Sequence, residues 1–188
     1  MAYALRGPAL RDHIATVAAA LFYAEGIHRV GVDRIADKAG VTKRTLYHHF
    51  PSKDVLLAEA LRGAPTIAFP RAGSPLARIL GAFAQLGAFL QATAFRGCPY
   101  IIFTAELTER GHPARRVIEE RIRERRGWFE RRLREANASD PAALAEELDV
   151  LFDGALASAA KRGTLEPVEA ATRVANRLLE HHCALVAG

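Results

Sequence analysis

A chain of 188 residues, half of them hydrophobic, is long enough to bury a core and fits one large domain or two small ones. Its net charge of +5 favours polyanionic partners without dictating a fold. No run approaches the roughly 20 apolar residues of a membrane helix, the residues up to Pro8 are too few for a signal peptide's apolar region, and Cys98 and Cys183 stand outside any CxxC spacing. The composition predicts a cytoplasmic globular chain with free thiols, no cofactor, no metal site and no membrane partner.

Ile14, Val17, Ala18, Leu21 and Phe22 recur at helical spacing, and Gly26 offers a C-terminal stop. Val32, Ile35, Ala36 and Ala39 form a second short pattern ending at Gly40, with Asp33 near its start, where an acidic group suits the helix dipole. Thr42 can cap a third helix that places Leu46 and Phe50 on one face and stops before Pro51. Ser52 can cap a fourth, from Lys53 to about Gly63. Residues 64–73 contain Pro65, Pro70 and Gly73 and read as a connection, which divides the chain into expected domains 1–63 and 64–188.

Beyond it, Ser74-Pro75 opens a helix through Ile79, Phe83, Leu86 and Leu90, and Gly97-Cys98-Pro99 breaks the pattern. A short apolar helix over Tyr100 to Thr108 follows. Gly111-His112-Pro113 then leads into a charged helix, Ala114 to Ala136, with Ile118, Ile122, Phe129 and Leu133 inward. Between Arg110 and Glu135 ten arginines alternate with five glutamates at spacings that suit intrahelical pairing, so this stretch reads as a solvated face and not as a second nucleic-acid or membrane patch. The last two helices, Ala142 to about Lys161 and Val168 to Ala187, are separated by Gly163 and Pro167. With no strand alternation and no repeat, the expected fold class is all-α.

Val32 to Phe50 has the plan of a helix-turn-helix. With Leu46 inward and 100° per residue, Arg44, Thr45, Tyr47 and His48 point outward, Thr42, His49 and Phe50 lie toward the core, and Lys43 lies between. An outward guanidinium, hydroxyl, phenol and imidazole can meet base edges and phosphates in a major groove.

At this point residues 10 to 62 resemble the DNA-binding domain of the TetR family of repressors. Gly26, Ile35-Ala36, Ala39-Gly40-Val41, Thr45-Leu46-Tyr47, Phe50 and Ser52-Lys53 stand where that family's pattern expects them. The resemblance implies phosphate contacts from Tyr47 and Lys53, with Lys43, Arg44, Thr45, His48 and His49 supplying or supporting base contacts; Thr42, the capping residue, is counted with them among the expected DNA-binding residues. Two departures stand out. Val30-Gly31 replaces the hydroxyl usual before the second helix, and Asp33 stands where some relatives use a basic reader. The resemblance further implies dimerisation of the last two helices as a four-helix bundle. The apolar stripe Leu148, Phe152, Ala155, Leu156 and Ala159, matched by Val174 and Leu178, agrees with that. It also implies a pocket for a small hydrophobic or amphipathic effector in the second domain, with Phe83, Phe103 and Trp128 as walls and Thr104, Glu106 and His112 as polar handles. Singly, each of these aromatics also reads as core, as does Phe95.

No GxGxxG, GxSxG or HExxH spacing is present, so no enzyme is expected. The sequence predicts a homodimeric repressor on a near-palindromic duplex operator, released by an effector; the competing reading is a DNA-binding dimer with no effector site.

Overall fold

The computed structural model describes residues 5–64, 66–91 and 97–183. Among them are nine helices: α1 (Gly7–Glu25), α2 (Val32–Ala39), α3 (Lys43–His49), α4 (Lys53–Arg62), α5 (Pro75–Gln91), α6 (Pro99–Glu106), α7 (Pro113–Glu135), α8 (Pro141–Arg162) and α9 (Glu166–His182). The only extended pairing among the described residues is an isolated antiparallel bridge between Ala138 and Cys183. The all-α expectation holds. Phe95 and the expected end of the last helix at Ala187 lie outside the described residues.

The helices fall into two compact units, with the division inside α7 between Glu120 and Arg121. In the first, α1 to α4 are joined by α6 and the opening turns of α7. Ile14, Ala18 and Phe22 of α1, Ile35 of α2, Leu46 of α3, and Leu56, Leu57 and Leu61 of α4 are fully or almost fully buried, in one cluster with Phe103, Leu107, Val117 and Ile118. At roughly 1.5–3 kcal/mol for each large apolar side chain removed from water, this cluster is the main force holding the short α2 and α3 in place.

Arg11 and Glu59 pair across α1 and α4 at 2.9 Å. The hydrogen bond from Arg11 outweighs partial burial and holds the Glu59 carboxyl below its ordinary value of 4.5. Stability from a depressed carboxylate is complete above its unfolded value and is lost as pH falls through the folded one. Glu59→Gln is therefore expected to cost about 0.5 kcal/mol near pH 7. It should cost nothing once the wild-type carboxylate is protonated, a convergence that thermal melts from pH 7 to 3 would reveal.

The second unit packs α5, the rest of α7, α8 and α9 around Phe83, Phe129 and Phe152. Phe83 and Phe152 meet edge to face at 5.4 Å, and Phe129 and Phe152 at 6.0 Å. Phe69, from the stretch expected to be a mere connection, stacks on Trp128 at 4.5 Å. Gly81 permits that course, since a Cβ there would lie 2.9 Å from the Pro70 ring. Ile122, expected inward, is 39% exposed, whereas Ile118, Phe129 and Leu133 of the same helix are buried.

The arginines of α7 find carboxylates within and between helices: Arg121 with Glu124 at 2.9 Å, Arg134 with Glu130 at 2.5 Å, and Arg126 with Glu146 of α8 at 2.7 Å. Among the described residues no helix is long and apolar enough to cross a membrane.

Candidate nucleic-acid interface

The turn between α2 and α3 closes on Gly40, whose φ of +67° is left-handed and whose N–H donates to the carbonyls of Ala36 and Asp37. Two residues on, the Thr42 hydroxyl accepts the Thr45 N–H at 3.1 Å. Such a cap is worth about 1 kcal/mol, a large share for a helix of seven residues. Val30 is buried and Gly31 gives α2 no side-chain cap, in keeping with the missing hydroxyl.

Leu46 and Phe50 are both fully buried and fix how α3 is rotated. On its other side Lys43, Arg44, Tyr47 and His48 are exposed. Arg44 and the Tyr47 hydroxyl have no hydrogen-bond partner among the described residues, and His48 has only its edge-to-face contact with His49. Three positions depart from the helical-wheel expectation. Thr42, expected inward, is exposed because its hydroxyl turns to cap the helix. Thr45, expected outward, is half-buried and meets the Thr42 hydroxyl at 2.9 Å. His49, expected toward the core, is only half-buried.

Sequence reasoning missed two ties on the basic groups. Lys43 is gripped by both oxygens of Asp33 on α2, at 2.9 and 3.1 Å. The opposite charges on neighbouring helices were the available signal. Lys53, at the start of α4, donates to the Ile27 carbonyl at 2.6 Å and lies 5.8 Å from the centre of the Phe22 ring. Its ammonium is thus anchored beside the turn between α1 and α2.

That turn is also held from later in the chain. Glu106 accepts the Ile27 N–H at 2.7 Å, its carbonyl lies 3.1 Å from His28 Nε2, and His112 Nε2 stands 3.3 Å from Asp54 of α4.

The six expected effector contacts are split between the units. Phe103, Thr104, Glu106 and His112 belong to the first, and Phe83 and Trp128 to the second. Phe83 and Phe103 are core, Glu106 and His112 are engaged as described, Thr104 bonds the Tyr100 carbonyl at 2.6 Å, and Trp128 stacks on Phe69. Of the expected dimer contacts, Leu148, Phe152, Ala155, Leu156 and Ala159 are buried inside the chain's own second unit. That stripe packs at home, against α5 and α9. Of those expected contacts Val174, 40% exposed, and the half-buried Leu178 remain open to a partner; Val150, not among them, is 65% exposed.

Comparison with known proteins fits this geometry. The sequence pattern of the bacterial regulatory proteins of the tetR family matches residues 14–60, which take in most of α1, all of α2 and α3, and α4 as far as Ala60. A TetR transcriptional regulator from Streptomyces avermitilis superposes with a TM-score of 0.81 at 35% identity, covering 92% of this chain and 97% of that one. The chain belongs to the TetR family. A curated relative, the HTH-type transcriptional repressor KstR2 of Mycobacterium tuberculosis, is 38% identical over 80 residues, 39% of this chain and 40% of the repressor. The matched stretch therefore spans less than half of that repressor's length. The HTH-type transcriptional regulator LmrA of Bacillus subtilis is 25% identical over 142 residues, 71% of this chain and 76% of the relative. Residues 14–60 of this TetR-family chain thus hold both the family pattern and the exposed face of α3.

Proposed function

We propose that this TetR-family protein is a sequence-specific transcription regulator, a repressor that binds a near-palindromic operator as a dimer and leaves it when a small molecule binds. The observation that carries the reading is the third helix. It is locked in rotation by Leu46 and Phe50 and presents Arg44, Tyr47 and His48 to solvent with no hydrogen bond from their side chains to the described residues. Arginine suits guanine O6 and N7, while tyrosine and lysine suit phosphates. In the dimer two such helices would enter successive major grooves roughly 34–36 Å apart. An effector can act only through unequal affinity for the DNA-competent and incompetent arrangements, so effector and operator must weaken each other reciprocally.

The operator is first selected from random duplex DNA by the purified protein. Operator and scrambled duplex are then titrated across salt concentrations. Arg44→Ala and His48→Ala should each cost roughly 1–3 kcal/mol, chiefly on the operator, and relax choice at one or two base positions per half-site. Lys53→Ala should weaken both DNAs alike and lower the salt slope by about one ion, with specificity intact. Equal losses on both DNAs for Arg44→Ala and His48→Ala would remove base reading by α3. Undiminished binding in all three variants would remove groove docking altogether.

A further inference from the structure

The second unit carries an open cleft of about 710 Å³ between α5 and α9, within the usual range for small-molecule sites. Its α5 wall is Leu80, Ala84 and Gly87, and Leu165 and Val168 close the end beside Gly87. Its rim carries Arg173 and Arg177, one turn apart on α9 and both exposed. Neither has an ion-pair or hydrogen-bond partner among the described residues, although most arginines of α7 are paired. The other polar groups of the lining are partly committed: Thr172 donates to the Val168 carbonyl at 2.8 Å, and the Asn176 amide donates to Glu180 at 2.6 Å. Glu169 also lines the cleft, so the charge there is two guanidiniums against one carboxylate. At 100° per residue, Thr172 and Asn176 stand roughly 160° around α9 from Val174, Arg173 about 100° and Arg177 about 60°. The floor of the cleft therefore opens on a different flank from the apolar face around Val174, and the two arginines stand on the edge between them.

We infer that the α5–α9 cleft binds an amphipathic organic anion, its head on Arg173 and Arg177 and its apolar tail along Ala84, Gly87, Leu165 and Val168. Unspent guanidinium donors beside an apolar trough suit a carboxylate on a hydrocarbon chain: the fork meets the carboxylate in two parallel hydrogen bonds, and each buried methylene adds hydrophobic gain. Glu169 sets the polarity of binding, because it repels a head group placed near the start of α9. This inference rests on the effector-responsive part of the proposed function and supplies the chemical class of the effector.

The probe is decanoate below its micellar concentration, with octanoate and 1-decanol as comparisons, measured by equilibrium dialysis on the full chain. Decanoate should bind, octanoate more weakly by up to about fourfold per methylene, and decanol about tenfold more weakly than decanoate. The double variant Arg173→Ala/Arg177→Ala should bring decanoate to the level of decanol and leave decanol unchanged. Ala84→Phe, on an exposed helical position, should block both. Circular dichroism melts show which variants are folded, and Arg173→Lys/Arg177→Lys and Gly87→Leu serve if either first choice is not. No saturable decanoate binding by the wild type, or binding indifferent to both the charge and the filling variants, would overturn the assignment. So would loss of the dimer on removing the arginines with decanoate binding retained, which would give them to the subunit interface. Decanoate bound in the cleft without effect on operator affinity would keep the site and remove effector control. Release of operator by decanoate in the Ala84→Phe variant would place the effector elsewhere.

Discussion

Val174→Glu is expected to turn a dimer into a monomer and to lower operator affinity about 10²–10⁴-fold, the loss that follows when two half-sites are no longer bound as one. Val150 and Val174 are two of the five large hydrophobic side chains exposed among the described residues. Val150 stands on α8 in a stripe at three- and four-residue spacing, Ala143, Glu147, Val150, Gly154 and Ala157, that faces away from the chain's own core. The small residues Gly154 and Ala157 let a second helix pair approach closely. A two-fold axis makes such a face meet itself, so one substitution introduces two carboxylates into an apolar contact. Because Val174 is exposed in the single chain, the substitution should leave the fold intact, a condition checked by circular dichroism. Sedimentation at micromolar concentration reads the outcome. A wild type already monomeric, or a dimer undisturbed by Val174→Glu and by Val150→Glu, would remove this interface.

Asp149→Ala should be strongly destabilising, by about 3–5 kcal/mol, because it takes from a buried guanidinium its most buried counter-charge. Arg125 lies in the second unit with its side chain 15% exposed, its Nε donating to Asp149 at 2.5 Å and its Nη1 to Asp153 at 2.9 Å. Its guanidinium also sits 5.1 Å over the Phe152 ring. Burial works against the guanidinium's charge, but the two aspartates more than offset it and hold its pKa above the ordinary arginine value. Removing Asp149, itself 6% exposed, leaves that charge with the more exposed Asp153 alone. A fall in melting temperature of roughly 6–20 °C is expected. Replacing both partners by apolar residues, Arg125→Met with Asp149→Leu, should recover most of it. A single variant as stable as the wild type would show that the pair is not held out of water.

The first four helices were readable because their signals are local: Thr42 and Ser52 cap α3 and α4, Gly40 turns the chain, and Leu46 with Phe50 marks the inner face. Where reading fell short, the missing information was which partner a residue meets. Periodicity showed that Leu148, Phe152 and Leu156 face something apolar, but a stripe looks the same whether its own chain or a second copy covers it. Phe83 and Trp128 were grouped with Phe103 and His112 on aromatic content, yet they belong to different units. Asp149 did leave a trace, as a lone carboxylate between Leu148 and Phe152 on an inward face. Its partner Arg125 is 24 residues away among other arginines that look alike in sequence.

The way α6 and the start of α7 are built into the first unit bears on how regulators of this kind can be recombined. Ile27 is capped from Glu106, the Leu61 carbonyl accepts the Tyr100 hydroxyl at 3.3 Å, and Phe103, Leu107 and Val117 complete the first core. The part that carries α3 is therefore discontinuous along the gene. A hybrid that takes residues 1–63 from this chain and its remaining body from a relative would inherit α3 with an open core and an unpaired turn. One that also carries residues 99–120 would inherit a closed one, and crossovers within α7 near Glu120 preserve more of the scaffold than crossovers in the connection at 64–73.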